Sequence, residues 1–289
     1  MQPSRRAFLF GRRLPGTPWD TFRQRLGRAA QGQLHELEPG PCGRARLVPA
    51  RVEDVRHARA LCAEYGVALL LDGRGDPAAL AGRPVLQVDP SSLAELVPGP
   101  QPRLWLAGPG CPVAALAEVG LGQFGDAPPG TTLAAWLADA HAWPSGATAA
   151  SGVLGLDVLL SDGTAETLGP FGQSDQRPLR SATVQRLVPA LFQVSTSPDA
   201  AACRQRPDWP CRFRLDALLP EPSADVNLAH LLLGHGGALA WIEGALLGPG
   251  MAPPSAPASA PLPAELAAPA RRIEVRVKDA FDPLDLYAP

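Results

Sequence analysis

Residues 228–246 read LAHLLLGHGGALAWIEGAL: an apolar run, a glycine loop (Gly234, Gly236, Gly237) and a second apolar run. Glycines at such a turn permit positive φ and let the backbone approach a ligand closely. Amides gathered this way suit a phosphate-bearing cofactor. A plain hairpin or helix-to-strand turn has the same pattern, and the loop alone leaves both readings open.

Composition bounds the rest. A chain of 289 residues suffices for one large or two medium domains, and 46% hydrophobic content is ordinary for a globular protein. A net charge of -2 offers nucleic acid no electrostatic attraction. Cys42, Cys62, Cys111, Cys203 and Cys211 are odd in number and include no C-x-x-C pair. That supports neither a zinc site nor an iron–sulfur cluster and fits a reducing compartment. No apolar stretch approaches the ~20 residues of a membrane helix. Ser4-Arg5-Arg6-Ala7-Phe8-Leu9 looks like a twin-arginine export motif, but Gly11, Arg12, Arg13 and Pro15 stand where an apolar segment should follow. The expectation is a cytoplasmic chain with a basic N-terminal arm. Thr17-Pro18-Trp19-Asp20 then opens a short amphipathic helix carrying Trp19, Phe22 and Leu26.

Along the chain, residues 32–45 read as a linker and 46–50 as a short strand. Residues 52–65 carry apolar groups at helical spacing and stop at Gly66. Residues 67–71 form an unbroken apolar run of strand length, leading into Asp72-Gly73-Arg74-Gly75-Asp76-Pro77, and 85–88 is a further strand. This predicts a small parallel α/β layer. Residues 103–107 predict a strand, 112–119 a helix, and 153–160 a strand turning at Ser161-Asp162-Gly163-Thr164, a strong hairpin signal. Residues 179–192 predict a helix weakened by Pro189, 196–210 a loop, and 248–270 a linker of Ala, Pro and Ser before a structured tail.

These pieces, in this order, resemble the FAD-binding domain of the FAD-linked oxidase family, also called the vanillyl-alcohol-oxidase or PCMH-type family. Asp72-Gly73-Arg74-Gly75 sits where the family has R-G-G-G-T. Residues 153–163, VLGLDVLLSDG, are similar to V-L-G-L-E-V-V-L-A-D-G. Residues 212–216, RFRLD, stand where relatives have G-Y-x-L-D; residues 234–240, GHGGALA, match G-S-E-G-T-L-A. Lys278-Asp279-Ala280-Phe281-Asp282-Pro283 resembles the terminal K-x-x-F-D-P signature. The branch most alike is the glycolate or D-lactate dehydrogenases and their FAD-binding subunits. The resemblance covers residues 45–247 and roughly the last 15.

It implies an α+β fold of two α/β subdomains with FAD in the cleft between them. The implied divisions are an N-terminal arm and helix (1–44), subdomain 1 (45–98), subdomain 2 (99–247), a linker (248–270) and a tail (271–289). The implied FAD contacts are Asp72, Gly73, Arg74, Gly75, Asp76, Thr131, Thr132, Leu133, Ala134, Ala135, Gly155, Gly234, His235, Gly236 and Gly237. In such an enzyme the flavin carries the redox chemistry while the protein positions it.

Three departures stand against this pattern. Relatives carry a paired-glycine T-x-G-G turn where this chain has Thr131-Thr132-Leu133-Ala134-Ala135. Gly236 replaces the Glu of G-S-E-G, and His235 replaces its Ser. The substrate-binding cap that relatives insert has only residues 248–270 in its place. Two functions follow: a FAD-binding oxidoreductase subunit of a multi-chain oxidase, or a degenerate, non-catalytic member serving as assembly or scaffold partner of a cap-bearing flavoprotein. His141 and His235 are candidate polar groups at the flavin. His35, His57 and His230 read as surface or helix-face residues, and Trp136, Trp143 and Trp241 as packing.

Overall fold

The computed structural model describes residues 16–75, 80, 82–172, 178–220, 225–254 and 262–288. The twin-arginine-like stretch lies outside them. Helix α1 (Pro18–Ala29) starts as its sequence requires: the Thr17 side chain accepts from the Asp20 amide, Asp20 reaches back to the Thr17 amide, and Pro18 sits in the first turn. It buries Trp19, Phe22 and Leu26.

The first sheet has the order β1-β2-β4-β3, built from β1 (Gln33–Glu38), β2 (Arg44–Val48), β3 (Ala68–Leu71) and β4 (Val85–Val88). Strands β2 and β3 flank β4 and run parallel to it, while β1 is an antiparallel edge. Helix α2 (Val52–Tyr65) makes the crossover and ends at Gly66 in the left-handed conformation. Strand β1 occupies the expected linker. Its sequence, QLHELE, is almost wholly exposed, so no buried face wrote an alternation into it.

The second sheet is antiparallel throughout, in the order β5-β6-β9-β7-β8. Its strands are β5 (Leu96–Pro98), β6 (Trp105–Ala107), β7 (Val153–Leu159), β8 (Ala165–Leu168) and β9 (Trp241–Leu247). The α+β class holds, but the second layer is not the parallel α/β kind. The short helices α3 (Val113–Glu118) and α4 (Leu133–Ala138) lie between β6 and β7. Helix α5 (Ala182–Ser195) continues through Pro189. Helix α6 (Pro198–Arg204) replaces the expected loop: Ser197 caps it, Pro198 opens it and Asp199 stands in its first turn. Helix α7 (Ala264–Phe281) begins inside the expected linker and sends Ala270, Ile273, Val277 and Phe281 into the core against the second sheet.

Residues 228–246 resolve into a 3₁₀ helix (Leu228–Leu232), the glycine turn and β9. Arg56 of α2 forks onto Glu243 of β9 at 2.7 and 2.6 Å, linking the crossover helix to the second sheet.

Candidate functional site

The two sheets meet where β3 ends. Beyond Leu71 the chain enters Asp72-Gly73-Arg74-Gly75 at the carboxyl ends of the parallel strands, where open α/β sheets hold ligands. The glycine turn lies against it: a Cβ built on Gly237 would stand 3.3 Å from Leu71 Cβ, and Gly237 has φ +80°. Arg74 donates to the Ala135 carbonyl at 3.3 Å and to the Asp139 carboxylate at 2.8 Å. The fold thus brings residues 72–75, 133–135 and 234–237 to one seam. Gly155 is not there. It sits inside β7 opposite Leu246, four residues from the seam residue Leu159, or about 13 Å along the strand. Thr131 turns toward α3, its hydroxyl donating to Pro128 O (2.7 Å) and its carbonyl accepting from the Val113 amide (3.0 Å). Asp76 lies outside the described residues.

Seven of the seam's amides already have partners. Those of Leu133 and Ala134 donate to Cys111 O and Pro109 O, both at 2.8 Å, and that of Ala135 donates to Thr132 Oγ1 at 3.2 Å. Gly234 and Gly236 donate to Leu137 O (2.8 Å) and Ala138 O (2.9 Å). Asp72 and Arg74 donate to Val88 O (2.9 Å) and Leu71 O (3.0 Å). These bonds hold α4 to residues 109–111 and to the glycine turn, and the Arg74 side chain ties the 72–75 turn to α4.

The interior of the seam is filled. Leu69, Leu71, Ala134, His235, Trp241 and Tyr287 surround a cavity of ≈ 10 Å³, room for about one water. Ala134 is 3% exposed and belongs to the same buried cluster as Leu71, Leu159, Trp241 and Tyr287. Tyr287 arrives from the chain's other end, where its hydroxyl donates to Leu159 O at 2.7 Å. The tail around it pairs with β3: Leu69 N donates to Leu286 O (2.9 Å) and Ala288 N to Leu69 O (3.3 Å).

The seam's electrostatics point the same way. His235 is buried, and neither ring nitrogen has a hydrogen-bond partner among the described residues; Trp241 Nε1 has none either. Burial, reinforced by the Arg212 guanidinium, takes the His235 pKa down to about 3, so the ring is neutral at pH 7. Asp72 and Asp89, just past β3 and β4, share the Arg46 guanidinium at 2.5 and 2.9 Å. A diphosphate brought here meets two carboxylates, with Arg46 and Arg74 already paired to carboxylates. The residues as they stand do not fit a flavin diphosphate: seven of the seam's amides are bonded, its interior is filled, and Arg46 and Arg74 are paired to carboxylates.

The other histidines are elsewhere. His141 packs on the Trp136 ring (centroids 4.3 Å apart) with Nε2 at 2.8 Å from Trp136 O, and burial lowers its pKa. His230 corrects the surface or helix-face reading. It is buried, with Nδ1 3.1 Å from Thr148 Oγ1 and Nε2 2.8 Å from Val153 O. His35 and His57 are exposed. Trp136, Trp143 and Trp241 are buried, as their packing role requires. Among the described residues, no group of His, Cys, Asp and Glu is arranged to hold a metal.

Sequence reasoning missed the seam's fillers at Leu71 and Tyr287 and the Arg46 bridge. Ala134-Ala135 in place of two glycines was the one local signal. Gly237→Ala places a Cβ at a left-handed φ against Leu71 and is expected to cost about 1–3 kcal/mol of stability. Urea denaturation measures it, and an unchanged midpoint would show that the turn does not pack on β3.

No family model and no curated protein matches the chain. Among solved structures, wild-type BBE-like 1 of Physcomitrella patens has a TM-score of 0.44 at 12% identity, covering 78% of this chain and 43% of that one. The Acremonium strictum glucooligosaccharide oxidase has a TM-score of 0.43 at 12% identity, covering 81% and 43%. That enzyme carries a 6-S-cysteinyl, 8α-N1-histidyl FAD. An alkyldihydroxyacetonephosphate synthase has a TM-score of 0.39 at 15% identity, covering 70% and 31%. The chain therefore spans less than half the length of each. No helix among the described residues is long and apolar enough to cross a membrane.

Proposed function

We propose that this chain keeps the framework of a FAD-linked oxidase domain with its cofactor seam closed, and serves as a non-catalytic assembly or scaffold partner of a cap-bearing flavoprotein. The observation that carries this reading is the packing of Leu71, Ala134, Trp241 and Tyr287 into the space between the two sheets. Ala134-Ala135 supports it from the sequence side. Paired glycines would leave room at the turn, whereas the alanines put methyl groups there, one of them lining the seam. A framework packed this fully suits a structural role.

The expected result is a purified chain that is colourless, stays so after incubation with FAD, and melts at an unchanged temperature in its presence. A ligand that binds only the native state must raise the melting temperature. Co-expressed with a cap-bearing flavoprotein of the same source, the chain is expected to remain bound through gel filtration. Stoichiometric flavin that a 2-hydroxy acid reduces would overturn the proposal.

One observation favours the second reading, a FAD-binding oxidoreductase subunit that opens its seam to load. His235 has no hydrogen-bond partner among the described residues, and an unsatisfied buried imidazole invites an incoming polar group. Asp72, Gly73, Arg74, Gly75, Gly234, His235, Gly236 and Gly237 would then be the contacts. The same FAD titration separates the two readings.

A further inference from the structure

Two of the five cysteines, scattered in the sequence, are neighbours in the fold. Cys203 stands in the last turn of α6, and Cys211 follows the six residues, 205–210, that leave the helix. The Cys211 thiol donates to Cys203 Sγ at 3.8 Å. Both are buried in the core around the second sheet, beside Trp209, whose Nε1 donates to Phe213 O at 2.8 Å. The loop between them is also tied by Arg206, which forks onto Asp208 at 3.0 and 2.8 Å. Directly after Cys211, the Arg212 amide donates to Glu274 of α7 at 2.7 Å, and the Arg212 guanidinium lies over Gly236 of the seam turn.

We propose that Cys203 and Cys211 are a thiol pair that small-molecule disulfides such as oxidised glutathione convert to an intramolecular disulfide. Bonded sulfurs stand about 2 Å apart, so the pair closes by a movement of under about 2 Å, within reach of side-chain rotation and slight relaxation of the loop. Cys211, 6% exposed against 0% for Cys203, is the entry point. Its thiolate attacks one glutathione sulfur and expels the first glutathione thiolate. Cys203 Sγ then attacks the mixed disulfide and expels the second. Two protein thiols lose two electrons and two protons, and one glutathione disulfide becomes two glutathione thiols. Burial raises the pKa of both thiols, which makes the exchange slow and dependent on local opening of the loop. The bond would fasten the end of α6 to the segment that holds both α7 and the seam turn.

The test is to incubate the full chain with excess oxidised glutathione at pH 8 for hours, block free thiols with N-ethylmaleimide and map the peptides. The expected result is a Cys203–Cys211 cross-linked peptide, reversed by dithiothreitol, with a melting temperature raised by about 3–8 °C. Exposed Cys42 reports that the reagent is active. Cys203 and Cys211 both alkylated, or carrying glutathione, after Cys42 has reacted fully would overturn the proposal. So would a Cys203→Ser variant that keeps the temperature rise. Should that variant not fold, the wild-type peptide map decides alone.

Discussion

Lys278→Met is expected to lose about 3–5 kcal/mol of folding stability, the range seen when one partner of a buried ion pair is removed. Lys278 is the single lysine in a chain whose other cations are arginines. It sits in the last turn of α7 with 18% of its side chain exposed, and its ammonium has three acceptors: the Ala238 carbonyl at 3.0 Å, the Tyr287 carbonyl at 2.6 Å and the Asp282 carboxylate. An ammonium has three donors on a compact head, which suits this arrangement; a planar guanidinium does not. Asp282 is fully buried and also accepts from the amides of Leu286 (3.0 Å) and Tyr287 (2.8 Å). The cluster therefore fastens three things at once: the residue after the glycine turn, the end of α7, and the tail that delivers Tyr287 to the seam. Without Lys278 the Asp282 carboxylate stays buried with no cation, and two carbonyls lose a donor. Asp282→Ala should cost a similar amount, and the double variant much less than the sum, because each single change already breaks the shared cluster. Urea unfolding of the four proteins measures this. Additive losses, or a Lys278→Met loss under about 1 kcal/mol, would show that the tail is not fastened this way.

The second large effect is with pH. Burial brings the pKa of His235 down to about 3 and that of His230 down to about 4, against about 6.5 for an exposed imidazole. Between those values the unfolded chain holds protons that the folded chain excludes, so stability rises with pH and is lost as pH falls below about 6.5. Each histidine adds a slope of roughly 1 kcal/mol per pH unit across this window. His235 faces Arg212, whose charge opposes protonation, and Tyr287 across the cavity. His230 faces Arg214 and Asp216, themselves a buried forked pair at 3.0 and 2.7 Å. His235→Leu removes a buried imidazole with no partner among the described residues. It is expected to raise stability at pH 7 by about 1–3 kcal/mol and to flatten the acid limb between pH 6.5 and 4. Unfolding midpoints taken at half-unit steps test both parts. A variant limb as steep as the wild type would mean that His235 is not held neutral by burial.

Much of the framework was legible because it was written locally. Residues 52–65 carry their apolar face at helical spacing and end at Gly66, and the helix stands where that pattern put it. Thr17-Pro18-Trp19-Asp20 holds a complete capping box, and Trp19, Phe22 and Leu26 are the residues it buries. The apolar run before Asp72 is a strand with all four residues buried. Where no buried periodicity existed the reading failed. Strand β1 is an exposed polar edge, and α6 is a seven-residue helix marked only by its cap.

Residue order alone determined an α+β chain with glycine turns beyond β3 and before β9, and a pair of alanines where the family it resembles has glycines. Those features are set by backbone conformation and by which residues tolerate it, so they can be read one segment at a time. Whether the turns enclose a cleft or a packed core was decided only in three dimensions. Leu71, Leu159, Trp241 and Tyr287 come from four distant segments, and their volumes either leave a gap or fill it. Here they fill it, because a tail anchored by Lys278 and Asp282 carries an aromatic ring into the space between the sheets.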